Sequence, residues 1–153
     1  MKKKIGILGS TGSIGENTFK IISNNKKDFK VIFLSTNTNV KKLLRQSIVL
    51  RPKSVIIFDK QNYLKYKKKF ITKKIKVFNS FKDLKKKILK SKLDYTMCAI
   101  SGLAGLDSTL NSINSTKSIA IANKESIICA WNLINEKLKK YKTKFIPVDS
   151  EHF

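Results

Sequence analysis

The sequence predicts an α/β domain: a doubly wound parallel sheet with helices on both faces. Three observations predict it. Short apolar, β-rich runs alternate with segments of helical period from one end of the chain to the other. No Asn-Gly or Asp-Gly hairpin turn joins two such runs, so successive strands need helical crossovers and pair in parallel. Five of the six glycines fall in segments that this topology delivers to the carboxyl edge of the sheet, where such folds bind ligands. A length of 153 residues, with 41% hydrophobic and 28% charged residues, suits one globular core and excludes disorder or a collagen-like repeat.

Residues 4–8 form an apolar run ended by glycines, a buried strand feeding a turn, and Ile14, Thr18, Ile21 and Ile22 then recur at helical spacing. Residues 29–35 are a second strand. Asn39 is placed to cap a helix whose Val40, Leu43, Leu44 and Ile48 share a face, with Pro52 beyond its end. Residues 54–59 predict a third strand, 60–74 a lysine-studded helix, and Val77 and Phe78 a minor strand. Ser80 caps a helix through Leu89, and residues 95–100 form another buried strand broken by Gly102 and Gly105. A helix over 106–114, a strand over 118–122, a longer helix over 125–141 and a last strand over 144–148 complete the alternation.

The formal charge of +23 invites a nucleic-acid reading, yet lysine supplies 31 of the 33 basic residues and arginine only Arg45 and Arg51. Base-reading surfaces favour the bidentate fork of arginine, and the lysine runs lack interleaved stacking aromatics, so no specific nucleic-acid partner is expected. Solvated helix faces account for the lysines. A field this positive still draws anionic, phosphate-bearing small molecules. The longest uncharged apolar-rich stretch, residues 95–106, falls short of the ~20 residues that span a bilayer, and no secretion signal opens the chain. An intracellular protein without a membrane partner is expected. Cys98 and Cys129 lie in apolar runs without metal-ligand spacing and are expected to be buried, reduced thiols.

Gly9-Ser10-Thr11-Gly12-Ser13-Ile14-Gly15 follows a strand and opens a helix. In that context Gly9 permits a tight turn, Gly12 lets backbone amides approach a pyrophosphate, and Gly15 lets the helix pack close to the strand. A tight turn alone would not need three glycines, each with its entropic cost. The missing Gly-Lys-Ser/Thr ending argues against a P-loop, so a dinucleotide is favoured and the sheet is of the Rossmann type. The tip of the second strand, Ser35-Thr36-Asn37-Thr38-Asn39, lacks the acid that would hold ribose hydroxyls and is followed by Lys41 and Lys42, which suits a 2′-phosphate and hence NADP. Asn39 serves equally as a helix cap. Lys124 and Glu125 lie between a strand and a helix at the ligand edge, where Lys124 could meet an anionic substrate. Alone they read as an ordinary helix start. Asp149 and Glu151, at i and i+2 on an extended strand, share a face and suit Mg2+ or Mn2+, with further ligands from outside these two residues. His152, the single histidine, points to the other face and is expected not to be a ligand.

With these residues the chain resembles, end to end, the 1-deoxy-D-xylulose 5-phosphate reductoisomerase family. The resemblance rests on the Gly9–Gly15 motif with Ile7 and Leu8 before it, on Ala122-Asn123-Lys124-Glu125-Ser126, and on Pro147-Val148-Asp149-Ser150-Glu151-His152. It implies an NADPH-dependent oxidoreductase that rearranges the ketose phosphate with the help of a metal and then reduces it to 2-C-methyl-D-erythritol 4-phosphate. Thr11, Gly12, Ser13, Ile14, Asn39, Asn123 and Glu125 would contact NADPH. Lys124, Ser150 and Glu151 would meet the sugar phosphate, with Lys124 and Glu151 in catalytic roles, and Asp149 and Glu151 would bind Mg2+ or Mn2+. The resemblance also implies a homodimer for the full-length enzyme, in bacterial cytoplasm or plastid stroma. Residues 1–130 would form the NADP-binding domain, with the last helix running to about 142, and residues 143–153 would begin the catalytic domain. Family chains run well over twice this length, so this polypeptide alone is expected not to turn over. Two departures stand out: Asn37-Thr38 replaces the family's Gly-Lys pair, moving any lysine contact with the 2′-phosphate to Lys41 or Lys42, and the chain ends at Phe153. A stand-alone dinucleotide-binding domain and another Rossmann-type oxidoreductase, such as a semialdehyde dehydrogenase relative with a catalytic thiol, are the alternatives.

Overall fold

The computed structural model describes residues 1–148. Along the chain run β1 (Lys3–Leu8), α1 (Ser13–Ser23), β2 (Phe29–Thr36), α2 (Val40–Leu50), β3 (Ser54–Ile57), α3 (Lys60–Ile71) and β4 (Lys76–Phe78). There follow α4 (Phe81–Ile88), β5 (Leu93–Cys98), a 3-10 turn (Leu103–Gly105), α5 (Leu106–Ser112), a second 3-10 turn (Ile113–Ser115), β6 (Thr116–Ile121), α6 (Lys124–Tyr141) and β7 (Lys144–Pro147). The seven strands form one sheet in the order β4-β3-β2-β1-β5-β6-β7, with every neighbouring pair parallel. Strand order reverses between β1 and β5. The carboxyl ends of those two strands therefore open a crevice between helices that leave in opposite directions.

Each face of the sheet has its own apolar layer, because alternate side chains of a strand point to opposite sides. Ile5, Ile7, Val31, Leu34, Val55 and Ile57 pack with Ile22 of α1, Val40, Leu43 and Leu50 of α2 and Phe70 of α3. Leu8, Ile56, Ile119 and Ile121 pack with Phe81 and Leu84 of α4 and Ile134 and Leu138 of α6. The β1–β2 register slips by one residue after Ile5, which pairs with Val31, while Gly6 pairs with Phe33. This bulge turns both Ile32 and Phe33 into the second layer. Phe33 is fully buried and meets Phe81 edge-on, with ring centroids 5.7 Å apart. A β-carbon on Gly6 would lie 2.1 Å from that ring, so the missing side chain is the notch that holds Phe33.

Several expectations shift by a turn or a face. Ile21 and Ile48 are exposed, because the buried stripe of α1 passes through Gly15 and Ile22 and that of α2 through Val40, Leu43, Gln46, Ser47 and Leu50. The third helix stops at Ile71, three residues before Lys74, which takes a left-handed conformation (φ 62°). The helix expected over 106–114 tightens to a 3-10 turn at Ile113. Cys98 is buried as expected but Cys129 is exposed. The buried positions of α6, Ser126, Ile134 and Leu138, lie at multiples of four and leave Cys129 off the stripe, so the apolar run around it is wider than the face it supplies. The expected boundary at residue 143 meets β7, which is hydrogen-bonded to β6 as the seventh strand of this same sheet. No helix among the described residues is long and apolar enough to cross a membrane.

Replacing Gly6 by Ala should lower unfolding free energy by about 1–3 kcal/mol through overpacking against Phe33. Denaturant titration measures it, and adding Phe33→Leu should recover part of the loss.

Candidate functional site

The turn from β1 into α1 uses its three glycines for three different reasons. Gly9 is left-handed (φ 80°), and a β-carbon there would press on the Ala99 carbonyl at 2.8 Å. At Gly15 a β-carbon would lie 2.0 Å from the Gly9 oxygen and 2.6 Å from Ser10 Cα, so α1 sits directly on the backbone of the turn. Gly12 has ordinary backbone angles, and a β-carbon there would find nothing nearer than 3.8 Å. Its face is open. Gly12 is also the N-cap of α1 and supplies no side-chain acceptor, so the first-turn amides of the helix face outward with the positive end of its dipole. That is the geometry by which a helix start receives a phosphate.

The tip of β2 fixes this turn from one side. The Gly9 amide donates to Ser35 Oγ at 2.7 Å, and the amide and hydroxyl of Ser10 both donate to the Ser35 carbonyl at 3.0 and 3.1 Å. Thr11 Oγ1 and Thr36 Oγ1 are 2.7 Å apart. Asn39 caps α2, its Oδ1 accepting from the Lys42 amide at 3.2 Å. Gln46 was not anticipated. Buried at 2% exposure on the inner stripe of α2, it donates from Nε2 to the Ser10 carbonyl at 2.8 Å and to Glu16 Oε2 at 2.9 Å. A polar amide on the mostly apolar inner stripe of α2 is the sequence signal that would have found it.

Across the crevice, the loops after β5 and β6 are clamped by Asn123. Its Oδ1 accepts from the Ser126 amide at 3.1 Å, capping α6, while Nδ2 donates to the Ile100 carbonyl at 2.7 Å and to that of Gly102. Gly105 makes the room: a β-carbon there would stand 3.1 Å from Asn123 Nδ2. With both ends of its amide engaged, the Asn123 side chain is an organiser of the crevice wall. Lys124 and Glu125 are exposed in the first turn of α6 and line a cleft of 390 Å³ with Ser13, Ile14 and Asn123. A smaller cleft of 150 Å³ lies over Gly12, Thr11, Thr36 and Asn37, and both share Ala99, Ile100 and Ser101. The two form one groove from the β2 tip, past the glycine turn, to the start of α6.

Thr11, Gly12, Ser13, Ile14, Asn123, Lys124 and Glu125 thus line these clefts, whereas Asn39 lines neither and caps α2 two residues beyond the lining Asn37. Asp149, Ser150, Glu151 and His152 lie outside the described residues. Because β7 runs parallel to β6, the chain leaves Pro147 at the same carboxyl edge. Among the described residues no group of three or more His, Cys, Asp or Glu could hold a metal ion. A larger cleft of 530 Å³ lies at the opposite edge, lined by Lys2, Lys26, Lys30, Arg51 and Lys53, with no glycine turn or converging amides. It is cationic surface between helix ends, not the candidate site. Neither thiol lines either cleft of the groove; Cys98 Sγ packs 3.7 Å from Ser112 Oγ beneath the sheet, and burial pushes it up to about 11. A thiol held protonated this way is a poor nucleophile, which argues against a dehydrogenase with a catalytic cysteine.

Sheet order, glycine turn and crevice define a doubly wound α/β domain of the dinucleotide-binding class. The chain belongs to the 1-deoxy-D-xylulose 5-phosphate reductoisomerase family, whose model matches residues 5–131. The reductoisomerase of Pelagibacter ubique is 55% identical over 152 residues, 99% of this chain and 39% of its own. That of Buchnera aphidicola subsp. Schizaphis graminum is 41% identical over 98% of this chain and 38% of its own. Among solved structures, the Zymomonas mobilis reductoisomerase in complex with NADPH superposes with a TM-score of 0.89 at 34% identity, over 99% of this chain and 40% of that one. A reductoisomerase in complex with magnesium superposes with a TM-score of 0.87 at 30% identity, over 99% of this chain and 38% of that one. Homoserine dehydrogenase of S. aureus, at a TM-score of 0.56 and 16% identity, shares the fold alone. The chain therefore spans about two fifths of the length of the relatives it matches.

Cys98 yields a pH prediction. Between an ordinary 9.0 and about 11 the folded chain keeps the thiol proton that the unfolded chain has released. Its contribution to stability is full below pH 9 and lost as pH rises toward 11, by up to about 3 kcal/mol. Denaturant titrations from pH 8 to 11 should show the fall, and Cys98→Ala should flatten it. Alkylation of the native chain should label Cys129 alone.

Proposed function

We propose that this chain is the coenzyme-binding portion of an NADPH-dependent reductoisomerase acting on 1-deoxy-D-xylulose 5-phosphate. The observation that carries the reading is the contrast within one turn: Gly9 and Gly15 are closed by their own backbone, while Gly12 is open above the start of α1. A turn built only for compactness would have no use for a bare outward face at Gly12. A pyrophosphate does, because its oxygens must come within hydrogen-bonding distance of main-chain amides. The adenosine end would lie over Thr11, Thr36 and Asn39, and the nicotinamide end beside Ile14, Asn123 and Glu125. The Zymomonas structure, similar over this whole chain and holding NADPH, supports that assignment.

Bound there, the coenzyme supplies a hydride, and a divalent cation supplies Lewis acidity toward carbonyl and hydroxyl oxygens. Of the chain's own residues, Lys124 meets and orients the anionic sugar phosphate at the mouth of the groove. Asp149 and Glu151 hold the cation, with Ser150 touching substrate between them. The support for Asp149 and Glu151 is their i, i+2 spacing and the release of the chain from β7 at the carboxyl edge that carries the groove, and for Ser150 the family's pattern. We place the end of the coenzyme-binding domain after β7, since residues 144–147 complete its sheet. By the family's pattern the longer protein would work as a homodimer, in bacterial cytoplasm or plastid stroma. Two metal carboxylates are too few for a full site. The 153-residue chain binds dinucleotide and does not turn over.

Titration of the chain with NADPH should give saturable binding that Gly12→Ala weakens at least about tenfold, while the change costs no more than about 1 kcal/mol in stability, the usual penalty for alanine at an N-cap. Steep salt-dependent retention of RNA without saturable NADPH binding would sink the reading. NADPH oxidation by the chain with substrate and Mn2+ would overturn the claim that it is inactive alone.

A further inference from the structure

The two adjacent lysines at the start of α2 are not equivalent. Lys42 Nζ lies 3.3 Å from Glu16 Oε2, and both side chains are partly buried. The same carboxylate oxygen accepts from Gln46 Nε2 at 2.9 Å. Gln46 cannot turn its amide over, because that would set Oε1 against both the Glu16 carboxylate and the Ser10 carbonyl, so its donor end is committed. Its Oε1 is buried without a partner, a cost borne to keep Nε2 where it is. Glu16 is also the acid of the first turn of α1, where the helix dipole favours a negative charge. It is the single carboxylate in residues 9–46 on either side of the groove's β2 end other than Asp28, which lies at the opposite edge. Lys41, one position earlier, is exposed and has no carboxylate partner among the described residues.

Resting on the reading that the β2 tip receives the adenosine end of NADPH, we propose that Glu16, held by Gln46, neutralises Lys42, so that Lys41 alone reads the coenzyme's 2′-phosphate. A phosphate brought to Lys42 meets a cation already paired and a carboxylate about an ion-pair length behind it, whose repulsion offsets a large part of the attraction. At Lys41 it meets an unopposed charge. Glu16 and Gln46 are then positioning residues for coenzyme choice: they restrain the preference for NADPH over NADH below what two free lysines would give.

The test is the ratio of dissociation constants for NADPH and NADH in the 153-residue chain, with each variant's fold checked by circular dichroism. Lys41→Ala should weaken NADPH about tenfold and NADH less than about twofold, whereas the double change Glu16→Gln with Lys42→Ala, which removes both charges of the pair, should change either by less than about twofold. Glu16→Gln keeps an oxygen for Gln46 Nε2 but frees Lys42, and should tighten NADPH about three- to tenfold with NADH unchanged. That gain should vanish when Lys42→Ala is added. Gln46→Met should shift the ratio in the same direction as Glu16→Gln, while a merely structural Gln46 would weaken both dinucleotides equally. Equal losses of NADPH affinity in Lys41→Ala and in the Glu16→Gln, Lys42→Ala double variant, or an unchanged ratio in Glu16→Gln, overturn the inference. Failure of the unaltered chain to bind either dinucleotide instead removes the reading beneath it.

Discussion

The carbonyl oxygen of Gly9 stands 2.0 Å from where a side chain at Gly15 would begin, and the site is built outward from that contact. It seats the first turn of α1 on the backbone of the β1 turn, closer than any residue with a β-carbon could come. Because the helix is that close, its amino-terminal amides sit at the crest of the sheet. The rest of the turn follows from the constraint: Gly9 must be left-handed to return the chain, and its amide is satisfied by Ser35 Oγ at 2.7 Å. Ser10 is fully buried beneath the crest, its carbonyl answered by Gln46. Two neighbouring elements, β2 and α2, thus hold the turn by side-chain hydrogen bonds that are themselves shielded from water, where an unmade bond costs most.

The other wall depends on the topology rather than on a local turn. β5 lies beside β1 only because the chain crosses from one edge of the sheet to the middle after β4, and this crossing brings residues 99–105 opposite the glycine turn. Those residues have no helix directly after β5 to order them. Asn123, from the next loop along the sheet, takes that part by capping its own helix and donating to two carbonyls of the neighbouring loop. The pairing of Asn123 with Gly105 is therefore one device in two places, a donor and the space it needs.

The fold was legible because its signals are periodic and local: apolar runs of strand length, helix stripes, and glycines confined to one edge. What was not legible came from contacts between elements. Ile21 and Ile48 satisfied a helical period but lie outside the buried stripes; in α2 one inner position goes to Gln46, whose reason resides in the β1 turn. The β1–β2 bulge that pairs Gly6 with Phe33 has no signature in either strand alone. The bias toward lysine blurred helix ends as well. Arg51, Lys74 and Lys142 take left-handed angles at helix ends or just beyond, where glycine is the usual choice, so the expected stop signal was missing. A helix end tolerates a cation there, because the carbonyls of the last turn favour positive charge and repay part of the backbone strain.

That contrast explains which glycines are present. At the helix ends a lysine or arginine bears a strain of roughly 1–2 kcal/mol and the chain still folds. At Gly6, Gly9, Gly15 and Gly105 the alternative is collision, with a ring, a carbonyl or a clamped loop at 2.0–2.9 Å, and at Gly9 with strain added. Gly12 belongs to neither group: no backbone angle and no neighbour requires it. In a sequence that sets Arg51, Lys74 and Lys142 at left-handed positions, a glycine that the fold does not need points to something outside the polypeptide. The open face above α1 is where that something would sit, and a phosphate is the group whose approach a single methyl would block.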